Sequence, residues 1–189
     1  MRFFAKNKYM VFKSWKTLKS EVFKKTPWTT FKENDFEMPN GKTGKYYFVS
    51  TGGSSMVVPI TDDGKVILTR QYRYLVDMES IEFPAGGVKD GQTYEECAHA
   101  ELMEETGYRA GKLEYVGEFV PMNGVTNEIC KVFIARNLVK GETNLEETEE
   151  GMECLRVMIE EAEKMIKDNI IKDGMTLASW QLAKKYLNI

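Results

Sequence analysis

Apolar residues fall in short runs separated by turn-forming pairs, a rhythm that predicts more strands than helices. Residues 31–37 and the β-rich Tyr46-Tyr47-Phe48-Val49 flank Pro39-Asn40-Gly41, a hairpin signal, so residues from about 25 to 50 read as a small antiparallel sheet. A second hairpin is expected where residues 55–59 and 66–71 flank Asp62-Asp63-Gly64. Strands follow near 113–120, 130–135 and 153–158, and helices at 160–167 and 176–187. Mixed strands enclosing a few helices suggest α+β layers.

One further helix is legible from its two ends. Thr93 with Glu96 three residues later forms a capping box, and Glu95 and Glu96 lie in the first turn, where the helix dipole favours anions. Gly107 suits a left-handed C-cap, which leaves Glu101, Glu104 and Glu105 in the last turns, where the dipole disfavours negative charge. Spacings of three and four place these carboxylates on one surface, each like pair costing about 0.2–0.5 kcal/mol unless something offsets it. A hard divalent cation, Mg²⁺ or Mn²⁺, would offset it and is often shared with a substrate's phosphates. Spacing alone equally allows a solvated acidic face. Pro84-Ala85-Gly86-Gly87, just before the helix, reads alone as a tight turn.

The 189 residues carry 42% hydrophobic side chains, enough for one domain with a real core and an extra N-terminal element. A net charge of −3 argues against a nucleic-acid grip, although residues 1–25 hold eight Lys or Arg and one acid, Glu21. That run reads as a solvated amphipathic segment. Lys6, Lys8 and Lys13 interrupt every apolar stretch near the N-terminus, so neither a secretory signal nor a membrane span is expected. Cys97, Cys130 and Cys154 are odd in number and widely spaced, which points to core thiols in a reducing, cytoplasmic setting. His99 reads as a helix-surface residue.

Gly86, Glu101-Leu102, Glu104-Glu105 and Gly107-Tyr108 stand in the register of the Nudix box, which the segment resembles. Gln92 departs from the usual Glu and Ala100 from the usual Arg, positions that are mainly structural in the family. Outside the box, Pro27-Trp28 before the first hairpin, Arg70-Gln71-Tyr72-Arg73, Glu82-Phe83-Pro84-Ala85 and Asn123-Gly124-Val125-Thr126-Asn127-Glu128 follow the order of the ADP-ribose and nucleotide-sugar pyrophosphatase branch. That similarity runs from about Trp28 to the C-terminus.

The resemblance implies an α/β/α Nudix sandwich with a mixed sheet over residues 51–189, and an N-terminal antiparallel extension over residues 1–50 serving dimerisation and base stacking. It further implies hydrolysis of the pyrophosphate bond of ADP-ribose or a related nucleoside diphosphate sugar. Glu101 and Glu105 would be the principal metal carboxylates, with Glu104 and the Ala85 carbonyl beside them. The general base would lie on the acidic loop 145–152, with Glu150, also a metal contact, ahead of Glu149 and Glu147. Arg73 and Arg70 would grip phosphate, Trp28 would stack on the base, and Gly87, Met122, Asn123, Gly124 and Glu128 would serve the remaining substrate contacts. A homodimer is implied, with no nucleic-acid or membrane partner. Two alternatives stay open: another nucleotide, such as a dinucleoside polyphosphate or a nucleoside triphosphate, and a catalytically quiet nucleotide-binding module.

Overall fold

The computed structural model describes residues 13–27 and 29–187, which divide into two compact units meeting at Ser50 and Thr51. In the first, β1 (Lys16–Lys25), β2 (Thr30–Glu37) and β3 (Thr43–Ser50) form an antiparallel sheet in that order. The β2–β3 turn closes where the Met38 N–H donates to Lys42 O at 2.7 Å and Gly41 N–H to Met38 O at 2.9 Å, with Gly41 at φ 80°. Asn40 Oδ1 accepts from Lys42 N–H at 3.1 Å, the local side-chain bond that makes Asn a turn former.

Residues 1–12 of the basic run lie outside those described, and within the rest Lys16–Lys25 forms strand β1, solvated along its whole length. Its ladder with β2 slips between Thr17 and Lys19 and again between Val22 and Lys24. Those slips erase the strict alternation by which a strand is recognised.

The second unit stacks two sheets. Strands β4 (Ser54–Pro59), β7 (Ala85–Gly87), β8 (Tyr108–Phe119) and β9 (Cys130–Lys140) form a mixed sheet in the order β7-β4-β9-β8, with β4 and β9 parallel. The other sheet is antiparallel, β10 (Glu153–Met158), β5 (Lys65–Arg73) and β6 (Met78–Glu82), with β5 central. Between them lie Met56, Val58, Val66, Leu68, Phe83, Val132 and Ile134, together with Trp180 and Ala183 of α3 (Gly174–Lys184) and Ala162 of α2 (Ile159–Lys167). The opposite face of β4 and β9, through Val57, Phe133 and Ala135, buries Ala98 and Leu102 of α1 (Tyr94–Thr106). Successive residues of β4 thus serve two different cores, as the pleat dictates.

The expected second hairpin does not form. β4 and β5 meet only at the Ile60–Val66 bridge and then enter different sheets. Both are buried runs, and burial on two faces reads the same for paired strands as for central strands of stacked sheets. Cys97 and Cys130 are buried as expected, whereas Cys154 is exposed. No helix among the described residues is long and apolar enough to cross a membrane.

Candidate functional site

The site is built on α1 and on the segment that crosses from β6 to β7. Thr93 accepts from the Glu96 N–H at 3.2 Å and its own N–H donates to Glu96 Oε2 at 2.8 Å, so the capping box fixes the helix start. Gln92 Oε1 accepts from the Lys89 N–H at 3.0 Å and closes the preceding turn, a bond that needs no charge on Gln92. Gly107 ends the helix in the left-handed conformation at φ 71°, and its N–H reaches Met103 O at 2.8 Å.

Between those ends, Glu101 and Glu105 stand one turn apart and both are buried. The Glu101 carboxyl lies directly over Gly86, so any Cβ there would push the carboxyl out of its present place. Burial, then the charge of Glu104, pushes Glu101 up to about 7, while Lys89 opposes the rise. Glu105 is pushed up to about 9 by burial, then by the charges of Glu101 and Glu149; a backbone hydrogen bond from Ala85 and the charge of Arg73 oppose it. Two desolvated carboxylates that hold protons this tightly offer a hard cation a charge-dense oxygen pair. Among the described residues no three His, Cys, Asp or Glu side chains converge as a ready-made metal cage. The set therefore suits an ion that takes one or two carboxylates and completes its shell with main-chain oxygen, water and phosphate, as Mg²⁺ does.

Beside these carboxylates opens a cleft of about 330 Å³ lined by Gln71, Arg73, Tyr74, Ala85, Glu105 and Glu149, among others. Arg73 Nε donates to Glu82 Oε1 at 2.8 Å and a second guanidinium nitrogen to Oε2, a bidentate pair. Glu82 is buried and Arg73 half-exposed, so one side of the guanidinium is held while the other faces the cleft.

The acidic loop follows β9 and is tied to the end of α1. Gly141 N–H donates to Gly107 O, and Asn144 N–H to Glu104 O at 2.9 Å. Within the loop Glu147–Glu149 forms a single 3-10 turn with Glu150 as its C-cap. Glu149 lines the cleft, while Glu150 is exposed.

The structure thus brings together Ala85, Glu101, Glu105, Arg73 and Glu149, with Glu104 half-buried on the next helical position. Arg70 lies apart, paired with Glu153 at 2.5 Å across the β5–β10 ladder. Gly87, Met122, Asn123 and Gly124 are exposed and lie outside that cleft. Glu128 accepts from Ser54 Oγ at 2.6 Å. Trp28 falls outside the described residues. Glu82 entered the sequence reading only as part of the Glu82-Phe83-Pro84-Ala85 run and was given no role; it comes within reach of Arg73 only once β5 and β6 pair.

Comparison with known proteins follows the same outline. The NUDIX domain family model matches residues 51–176. The chain is 36% identical over 143 residues to the ADP-ribose pyrophosphatase of Bacillus subtilis (strain 168), covering 75% of this chain and 77% of that one. It is 31% identical over 176 residues to the methanol dehydrogenase activator of Bacillus methanolicus, covering 92% of each. A crystal structure of an ADP compounds hydrolase superposes with a TM-score of 0.81 at 21% identity, covering 95% of this chain and 97% of that one, a likeness of fold.

Proposed function

The chain belongs to the Nudix family, and on that premise we propose that it cleaves the pyrophosphate bond of ADP-ribose or a related nucleoside diphosphate sugar, giving a nucleoside monophosphate and a sugar phosphate. The observation that carries the reading is the pair of buried carboxylates, Glu101 and Glu105, seated on Gly86 and Ala85 and facing Arg73 and Glu149 beside one cleft.

Glu101, Glu105 and the Ala85 carbonyl, with Glu104 beside them, would hold Mg²⁺ or Mn²⁺. Such an ion neutralises phosphate oxygens and lowers the pKa of bound water. The free side of Arg73 binds a phosphate while Glu82 keeps the guanidinium from swinging away. Water attacks one phosphorus, the bridging P–O bond breaks, and a loop carboxylate takes the water's proton. We assign that base to Glu149, since it lines the cleft and Glu150 does not.

Arg70, through its pair with Glu153, anchors the far end of the loop and meets phosphate only if that pair opens. Trp28 would stack on the base, and Gly87, Met122, Asn123, Gly124 and Glu128 would meet the sugar end. The chain would work as a cytoplasmic homodimer, the sheet of 13–50 serving the partner's site; Phe23, Tyr47 and Trp15 stand exposed there, an apolar area consistent with that use.

A second reading, a partner protein that activates a dehydrogenase, is favoured by the match to the Bacillus methanolicus activator over nearly the whole chain. Phosphate release through a coupled phosphatase, from ADP-ribose, ADP-glucose, GDP-mannose, a dinucleoside polyphosphate and nucleoside triphosphates, with Mg²⁺, Mn²⁺ or EDTA, decides between them. Metal-dependent cleavage confined to the diphosphate sugars is expected. No cleavage of any compound by folded protein would leave the partner reading in its place.

A further inference from the structure

Between Glu82 and Ala85 the chain leaves one sheet and joins the other: β6 ends at Glu82 in the β5 sheet, and β7 begins at Ala85 against β4. Two residues, Phe83 and Pro84, make the crossing. Pro84 has no N–H, and its carbonyl accepts from Val57 N–H at 2.9 Å. Phe83 has left the β5 ladder, so its N–H is without a strand partner in a buried place, where an unmade bond is costly.

The N-terminal turn of α3 supplies that partner. Thr176 Oγ1 accepts from Phe83 N–H at 3.1 Å, with Thr176 fully buried and Phe83 nearly so. Thr176 is itself set by the helix cap, its N–H donating to Asp173 Oδ2 at 2.7 Å. One turn on, the Trp180 ring stacks on Phe83 with centroids 5.8 Å apart, and its indole N–H donates to Glu163 of α2. The crossing is thus clamped by one directional bond and one ring contact, both from a helix that carries none of the site's charged groups.

What hangs on either side of the crossing decides its importance. On one side is Glu82, which holds Arg73; on the other are Ala85, which bonds Glu105, and Gly86, which lies against Glu101. We infer that Thr176 is a positioning residue: through the Phe83 N–H it sets the crossing from which the phosphate-gripping arginine and the metal carboxylates are both aligned. The inference rests on the pyrophosphatase reading for the identity of the metal site, but its test needs no turnover.

The test is Mn²⁺ titration followed by the electron paramagnetic resonance signal of free Mn²⁺, with Tm measured in parallel. Thr176→Val keeps the shape and removes the acceptor; it should weaken Mn²⁺ binding by about 10-fold or more, the scale for outer partners of metal ligands. Thr176→Ser, which retains the hydroxyl, should restore it. Trp180→Phe keeps a ring on Phe83 while losing the bond to Glu163, so it should lower Tm with Mn²⁺ affinity unchanged. If Thr176→Val does not fold, Thr176→Cys, a similar volume with a poor acceptor, takes its place and should bind Mn²⁺ more weakly than both the serine variant and the unaltered protein. Unchanged Mn²⁺ affinity in the valine variant despite a lower Tm would overturn the inference, as would an equal loss of affinity in Trp180→Phe. If the unaltered protein takes up no Mn²⁺, the metal reading itself falls, and this inference with it.

Discussion

The two ends of helix α1 carry the same residue type under opposite conditions. At the N-terminus Glu96 is exposed and accepts two bonds from Thr93, through its N–H and its hydroxyl, which hold its carboxyl below the usual range. Near the C-terminus Glu101 and Glu105 are buried beside other acids and are held well above it. The first glutamate is explained by the helix it helps to start. The other two weaken the element they belong to, a local conflict that supports the metal-binding role proposed for them.

The difference is broken most severely by Glu105→Gln. Turnover should fall by about 10²–10³-fold or more, the loss expected when a positioned electrostatic group leaves a site. In EDTA near pH 8 the same variant should melt higher than the unaltered protein, because the buried group no longer resists ionisation. Steady-state rates and paired melting curves check both parts; a lower Tm would show that Glu105 is held mainly by favourable bonds.

Next in size is the loop. Glu149→Gln should slow kcat by roughly 10²–10⁴-fold with little change in KM, the range for a lost general base. Glu150→Gln should stay within a few-fold of normal. The reverse ranking would move the base to Glu150.

A third effect separates the helix ends by pH. In metal-free protein the raised carboxyls bind protons more tightly folded than unfolded. Their contribution is therefore complete below about 4.5 and is lost as pH climbs through about 7 for Glu101 and about 9 for Glu105. Glu96 has the opposite sign, adding stability above its unfolded pKa and losing it in acid. Tm in EDTA should therefore decline from pH 5 to 9, and saturating Mg²⁺ should flatten that decline. A metal-free Tm that rises across this range would refute the raised values.

The smallest effect belongs to the cap. Thr93→Ala should cost about 1 kcal/mol in stability and leave kcat within a few-fold, as chemical denaturation and rates would show. A large loss of activity would mean that the helix start also tunes the carboxylates at the other end.

The helix carrying these contrasts was also the most legible part of the sequence. Thr93, Glu96 and Gly107 are local signals, each acting within four residues, and they mark both ends of α1. Strand β10 matches its predicted span of 153–158 for a similar reason, being a short run with clear borders. What could not be read was long-range: β4 and β5 look like hairpin partners because their separation into two sheets depends on β9 and β10, far along the chain.

The site divides in the same way. Gly86 and the helix glutamates are legible through the resemblance to the Nudix box, whereas Glu82 needs the β5–β6 pairing and Thr176 needs the docking of α3. Among the loop acids the resemblance put Glu150 ahead of Glu149 and Glu147, a ranking that no local signal in the sequence supports. Only the 3-10 turn, which leaves Glu149 in the cleft and Glu150 outside it, tells them apart.

The bond from Asn144 N–H to Glu104 O fastens the acidic loop to the helix that bears Glu101 and Glu105. Glu149 lies five residues beyond that fastening, so even a fully extended tether reaches no more than about 17 Å from the pivot. Under the role proposed for Glu149, that tether keeps its carboxylate near the cleft while the loop moves, which raises its effective concentration toward a phosphate bound there. Freedom of the loop and readiness of the base are then compatible, since the leash is tied at the carboxylate helix.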